Sequence, residues 1–574
     1  MSRMTAFLRP YRALIALVLA LTFGQTMLNL YLPNLMSDIV DNGVVRGDTR
    51  YIIATGAWML AVTCLGGLAS VVSRLFGARI AAFFGRDVRA ALFRHVEHFT
   101  LKEFDAFGNS SLIVRTTNDV WQVQQLVFML QVMVTAPLTG IGGIILAMRE
   151  DLSLSWVILL ALPLLTAVIY GVMRPSIGLF GSVQRKIDRL NLVLRENLTG
   201  VRVVRSFGRA AHETRRFDQA NLDLTDTQVR VYQLLAAMWP AVMVIMNLST
   251  VAVVWFGAPQ VNTGALQIGQ LMAFIQYLTQ IMFAVLMMSM MIFQLPRALA
   301  SAERIRAVLE TEPEVTDADR ALPPPPSLGR IEFRDVTFRY PGAEEAALSG
   351  VSFATEPGTV TAVIGGTGSG KSTLVNLVMR LYDVAQGSIL VDGVDVRDMP
   401  QADLRRRIGY VPQRAVLFSG SVLDNLRYGD PTASDADAQA AAEVAQAAEF
   451  IDALPGGMEA ELKQGGRNLS GGQRQRLSIA RALVRKASVY LLDDCFSALD
   501  FATDARLRAA LRRRLQGSSL VIVAQRVGTV MDADRILVLD EGRLVGVGRH
   551  DELVATCPVY REIVASQLQP EGIA

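Results

Sequence analysis

Residues 365–373 read Gly-Gly-Thr-Gly-Ser-Gly-Lys-Ser-Thr, the spacing G-x-x-x-x-G-K-[ST]. That pattern is built for phosphate. Gly365, Gly366, Thr367, Gly368, Ser369 and Gly370 let backbone N–H groups converge on phosphate oxygens. A helix starting at Lys371 adds its positive dipole end. Lys371 neutralises β- and γ-phosphate charge, Ser372 can ligate Mg²⁺, and Thr373 closes the motif. The apolar run Val360–Ile364 before it and Leu374–Met379 after it supply the strand and helix that the loop requires. A second apolar run, Val489–Leu492, ends in Asp493 and Asp494. A carboxylate at the C-terminal end of a buried strand suits a Mg²⁺ partner, and Asp493 is the candidate. Upstream, Leu469-Ser470-Gly471-Gly472-Gln473 opens a helical run. This is a second N-terminus that could face phosphate, although Ser-Gly-Gly by itself reads better as a plain helix cap.

These residues lie in the second half of a chain of 574 residues, too long for one ordinary domain. The composition is 51% hydrophobic, with a mean hydropathy of +0.33. The apolar excess is concentrated in the first half. Six segments there, near 13–36, 52–76, 125–148, 152–174, 234–257 and 268–295, are long enough to cross a bilayer, which takes about 20 apolar residues as helix. The basic residues cluster between spans two and three (Arg79 to Arg115) and between spans four and five (Arg185 to Arg230), which predicts that both chain ends and both long connections are cytoplasmic. Apolar spacing within those connections, as in Leu190–Leu198, predicts helices that extend beyond the membrane; a disordered basic loop is the alternative. A positive flank followed by an apolar run at the N-terminus could be a signal peptide, but its length and the spans after it favour a first membrane helix. The proline run within 321–327 cannot continue a helix. The expected division is therefore a membrane domain over 1–310, a linker over 311–329 and an α/β nucleotide-binding domain over 330–574.

A net charge of +3 argues against nucleic acid as a partner. Three cysteines and four histidines at scattered positions give no disulfide or metal framework.

With the marks around it, Leu469–Gln473 resembles the signature motif of the ABC ATPases. Tyr340 resembles the aromatic residue that stacks on adenine, and Gln413 the glutamine that ligates Mg²⁺ and senses γ-phosphate. Ser497-Ala498-Leu499-Asp500 resembles the D-loop, and the stretches 104–119 and 196–207 resemble the two intracellular loops of ABC exporters. The resemblance implies a half-transporter: six membrane helices with cytosolic extensions, joined to one P-loop ATPase domain of ABC type. ATP and Mg²⁺ are the implied ligands, the latter held by Ser372, Gln413 and Asp493. Two ATPase domains would meet head to tail, each ATP lying between one chain's phosphate loop and the other's signature motif. The implied location is the inner, or plasma, membrane with the ATPase domain in the cytosol.

Two positions depart from the family. Asp494 stands where Glu is usual, and Gln525 where the switch histidine is usual. An aspartate carboxylate falls short of the glutamate position by roughly an ångström, enough to cost on the order of a hundredfold in rate. Gln525 can donate a hydrogen bond but carries no charge at any physiological pH. Both changes hit one catalytic pair, so this chain's own ATP site is expected to be slow, while its intact signature motif would complete a second chain's site. The expected assembly is a heterodimer.

Uncharged polar residues in the spans (Gln25, Asn29, Asn247, Ser249, Thr250, Gln276, Gln280) predict a hydrophobic or amphipathic cargo, as in multidrug exporters, with membrane lipid around it. The methionines at 282, 287, 288, 290 and 291 mildly support broad specificity, packing being the plainer reading of each one. Lipid or peptide export and uptake of large chelates remain alternatives. A non-transporting, ATP-gated protein is a further one, which a line of intramembrane charges would favour.

Overall fold

The computed structural model describes residues 2–317 and 325–568. It divides into two compact units, one of residues 1–97 and 110–311, the other of residues 98–109 and 312–574.

In the first unit six helices are long and apolar enough to cross a membrane: Met4–Val44, Thr49–Val96, Asn109–Glu150, Ser155–Thr199, Ala210–Asn262 and Ile268–Glu310. The fifth has 53 residues. At a rise of 1.5 Å per residue it reaches about 80 Å, against a hydrocarbon layer of about 30 Å. The expected helical extensions therefore exist, and the basic stretch 185–230 lies on helices except for short breaks near Gly200 and Gly208. The last span packs at helical spacing: Phe274, Tyr277, Leu278 and Ile281 are fully buried in one core with Val157, Ile158 and Leu165 of the fourth. Gly143, on the third span, lets that helix approach the last one, since a side-chain carbon there would meet Ile281 Cγ1 at 2.8 Å. Met282 belongs to this core, so its role is packing. The Met290 side chain lies outside the described residues.

The same unit is tied at its other end by charge. The carboxylate of Asp119, fully buried, accepts from Ser301 Oγ at 3.0 Å and from Arg304 Nε at 2.7 Å. Arg115 Nη1 donates to the Arg304 carbonyl at 2.9 Å.

The second unit is an α/β domain. Its larger sheet has six strands in the order Arg543–Gly548, Arg535–Asp540, Val360–Gly365, Ser519–Val523, Val489–Asp493, Ile408–Val411. All neighbours pair in parallel except the Arg535–Asp540/Arg543–Gly548 hairpin at one edge. Strand periodicity sends alternate residues to two cores. Val363, Leu491, Val521 and Leu537 point into one, and Ala362, Leu492, Ile522 and Ile536 into the other. With both faces covered, the central strands are apolar at most positions. A four-stranded antiparallel sheet runs in the order Leu348–Ala354, Ile331–Phe338, Gln386–Val391, Val394–Asp395. The last membrane helix ends at Glu310, and the first strand starts at Ile331. Residues 318–324, including the start of the proline run, lie outside the described residues; Pro325 and Pro326 offer carbonyls to the Arg407 guanidinium.

The short helix Leu101–Phe107, between spans two and three in sequence, belongs to this second unit. Glu103 caps it, its Oε2 accepting from Thr100 N at 2.7 Å, and Lys102 pairs with Glu314 at 2.9 Å.

Candidate nucleotide site

The phosphate loop turns between the Val360–Gly365 strand and the helix that starts at Lys371. Gly368 and Gly370 take positive φ of 83° and 94°, conformations that a side chain would strain. Gly370 is also hemmed in, a Cβ there falling 2.5 Å from the Ala347 carbonyl. Gly366 and Gly368, by contrast, face open space. Inside the loop the buried Lys371 ammonium donates to the carbonyls of Gly365 at 3.0 Å and Gly366 at 2.6 Å, and to Ser369 Oγ at 3.3 Å. Burial pushes its pKa below the usual lysine range, and the charges of Asp494 and Asp493 partly restore it. Thr367 sits at the open tip of the turn.

The two aspartates close the other side. Ser372 Oγ donates to Asp493 Oδ1 at 3.1 Å. Burial raises the pKa of Asp493 above the ordinary aspartate value, with the Ser372 hydrogen bond opposing it. Asp494 is raised by burial too, against a hydrogen bond from Gln413. Its Oδ2 accepts from Gln413 Nε2 at 3.2 Å and from Gln525 Nε2 at 3.0 Å. Asp494 holds φ of +45°, and its N–H donates to the Val523 carbonyl at 2.9 Å. Aspartate enters that left-handed region more readily than most residues. A loop of open backbone donors, a buried ammonium and a hydroxyl paired with a carboxylate together fit a nucleoside triphosphate and a divalent cation. Ser372 and Asp493, with the free oxygen of Gln413, are the groups that would hold the cation.

Tyr340 stands at the rim of the loop, its hydroxyl 3.0 Å from Thr373 Oγ1. It meets Phe338 and Tyr382 edge-on, at 4.9 and 5.4 Å between ring centroids. The Tyr382 hydroxyl donates to Asp105 Oδ2 at 3.3 Å. Asp105 lies in the 104–119 stretch that resembles an intracellular loop, but Tyr382 stands in no motif and nothing in the sequence pairs the two; the contact joins residues 277 positions apart.

Ser470 is the N-cap of the Gly471–Val484 helix. Its Oγ accepts from Gln473 N at 3.2 Å, and Gln473 Oε1 accepts from Ser470 N at 2.8 Å. Gly471 faces open space, Leu469 is buried, and a Cβ on Gly472 would sit 3.2 Å from the Ala498 carbonyl. The signature segment therefore lies against Ser497–Asp500, where Ser497 Oγ donates to the Asp494 carbonyl at 3.0 Å and Leu499 is buried. Asp500 caps the next helix by accepting from Thr503 N at 2.9 Å.

The chain matches the family described as ABC transporter transmembrane region over residues 15–285 and that described as ABC transporter over residues 348–497. It is 43% identical over 565 residues to an uncharacterized ABC transporter ATP-binding protein of Mycobacterium tuberculosis, covering 98% of this chain and 97% of that one. It is 34% identical over 534 residues to the ATP-dependent lipid A-core flippase of Pseudomonas aeruginosa, covering 92% of this chain and 87% of the relative. Among solved structures, a bacterial Atm1-family ABC exporter with ATP bound superposes with a TM-score of 0.80 at 26% identity, over 99% of this chain and 100% of that one. The chain belongs to the ABC transporters: it is an exporter half-transporter with one transmembrane domain and one ATP-binding domain.

Proposed function

We propose that this chain is the slow-site half of a heterodimeric exporter of hydrophobic or amphipathic compounds. The observation that carries the reading is the pairing of Asp494 and Gln525 at the two catalytic positions, beside an intact Leu469–Gln473 signature. In this reading Lys371, Ser372, Asp493 and Gln413 hold ATP and Mg²⁺ at a site that turns over slowly, and Tyr340 stacks on adenine. Ser470, Gly471 and Gly472 complete the fast site on the partner chain. The protein sits in the plasma membrane with both ends and the ATPase domain in the cytosol.

The mutual bond of Asp494 and Gln525 supports the reading. A carboxylate engaged by two amides has less freedom to polarise a water, and a neutral amide places no positive charge at γ-phosphate. The test is the ATPase rate of the purified chain alone, compared with the rate after adding a candidate second ABC chain. Little turnover alone and brisk turnover together are expected; vigorous turnover by a homodimer would sink the heterodimer.

Lipid translocation is the second reading, favoured by the relatives named as lipid A-core flippases. Headgroup transfer across reconstituted vesicles, compared with efflux of hydrophobic dyes, separates it from drug-type export.

A further inference from the structure

Within the first unit lies a cavity of about 820 Å³, inside the usual range for small-molecule sites. Four of the uncharged polar residues noted in the sequence line it: Gln25, Asn29, Gln276 and Gln280. Amides accept and donate alike, so they select no charge. Arg74 lines the same cavity, together with apolar residues such as Phe128 and Met287, and no acidic side chain is among the lining residues. Among the described residues no ion pair engages Arg74. Arg74 is exposed and stands near the end of the apolar part of its span, so its guanidinium stays hydrated while it borders the cavity.

The backbone beneath Arg74 is fixed by a polar staple. Ser73 Oγ lies 2.8 Å from Thr22 Oγ1 and 3.3 Å from the Val18 carbonyl on the first span. Gln131 Nε2, from the third span, donates to the Ser73 carbonyl at 2.6 Å. Gly77 makes room for this crossing, as a Cβ there would meet Gln131 Nε2 at 2.5 Å. Three helices are thus locked in register at residue 73, and Arg74 leaves the lock into the cavity wall.

We propose that this cavity takes an anionic amphiphile, a carboxylate, sulfate or phosphate head on an apolar body, with Arg74 as the residue that selects the charge. Arg offers a planar fork of donors that matches such heads, and the amides beside it complete their hydrogen bonding. The proposal rests on the export reading and adds the sign of the cargo's charge. The anion can come from solution or from the bilayer.

The test uses the assembled two-chain transporter in phosphatidylcholine vesicles, with ATPase stimulation as the readout. Matched single-chain probes carry an alkyl sulfate, a zwitterionic or a quaternary ammonium head, and a parallel arm adds phosphatidylglycerol to the vesicles. Stimulation by the sulfate but not the ammonium probe identifies a soluble anion as cargo, and stimulation by phosphatidylglycerol alone identifies a lipid; either outcome supports the proposal if it depends on Arg74. For Arg74→Gln the half-stimulating concentration of the anion should rise about tenfold, while Arg74→Lys keeps most of the response. Basal ATPase serves as the folding control for both variants. Equal stimulation by cationic and anionic probes, or an anion response unchanged in Arg74→Gln, overturns the charge assignment and leaves amphiphile export standing. Stimulation by no probe of any charge removes both.

Discussion

Gln525 Nε2 donates to Asp494 Oδ2 at 3.0 Å, so the two positions at which this chain departs from the family's usual pair are bonded to each other. Gln413 donates to the same oxygen at 3.2 Å. A change at one position therefore acts on the other. Asp494→Glu alone would lengthen the side chain at a residue with φ of +45°, where glutamate is less at ease than aspartate, and would displace the Gln525 amide. Asp494→Glu with Gln525→His should raise hydrolysis at this site about tenfold or more when the partner's own catalytic glutamate is disabled. Asp494→Glu alone should give a smaller gain. Single-site turnover of each variant checks this, and no increase in the double variant would place the slowness elsewhere.

On the proposed head-to-tail dimer, Lys371 and Ser470 should differ in their effects although both would face phosphate. Lys371 sits inside this chain's own loop, and Lys371→Ala would remove a charge-assisted contact of about 1.5–3 kcal/mol from the site that the proposed heterodimer makes the slow one. Steady-state ATPase of the complex should fall mildly, and occluded nucleotide should fall more. Ser470→Arg puts bulk and charge at a helix start where Gly471 faces open space, and it should abolish most turnover by blocking the partner's site. ATPase rates combined with nucleotide trapping assign the effect to a site; the opposite ranking would reverse which site is fast.

The phosphate loop, the carboxylate-tipped strand and the membrane spans are legible in sequence because each is local. A glycine spacing, an apolar run ending in acid, or twenty apolar residues are enough to place them. Bonds across the fold are less accessible. The resemblance puts Gln525 and Asp494 at one site without implying their bond, and nothing in the order of residues pairs Asp119 with Arg304 or Tyr382 with Asp105, since each depends on distant elements meeting. Arg74 lies at the edge of the 52–76 span, where a basic residue reads as a flank; its cavity exists only once four helices come together. The methionines divide: Met282 fills the core, the plainer reading of each one, while Met287 lines the cavity.

The Asp119 cluster should govern stability of the membrane unit rather than chemistry. Its carboxylate is fully buried, with Ser301 and Arg304 as donors, while the Arg304 side chain is 47% exposed. Asp119→Ala leaves those donors without their acceptor, at a cost of about 1–3 kcal/mol once solvent screening of Arg304 is allowed for. Thermal melting of the detergent-solubilised protein should show a clear drop for Asp119→Ala and a smaller one for Asp119→Asn, which retains one acceptor. An unchanged melting temperature in both would mean that water replaces the pair.

Tyr382 links the rim of the nucleotide site to the helix Leu101–Phe107. Its ring meets Tyr340 edge-on, and its hydroxyl donates to Asp105 Oδ2. Burial raises its pKa above the ordinary tyrosine value, and the charge of Asp105 adds to this, so the phenol stays a neutral donor at any working pH. A base stacked on Tyr340 would press on Tyr382 through the ring contact, and the hydrogen bond would carry that pressure to a segment lying in sequence between spans two and three. Tyr382→Phe keeps the ring and loses only the bond, worth about 0.5–1.5 kcal/mol. The KM for ATP should stay within about twofold, while stimulation of ATPase by cargo falls about two- to tenfold. Asp105→Asn should preserve part of the response, because its amide oxygen still accepts, and Asp105→Ala should match Tyr382→Phe. Full cargo stimulation in both Tyr382→Phe and Asp105→Ala would show that the contact holds the fold together without carrying the signal.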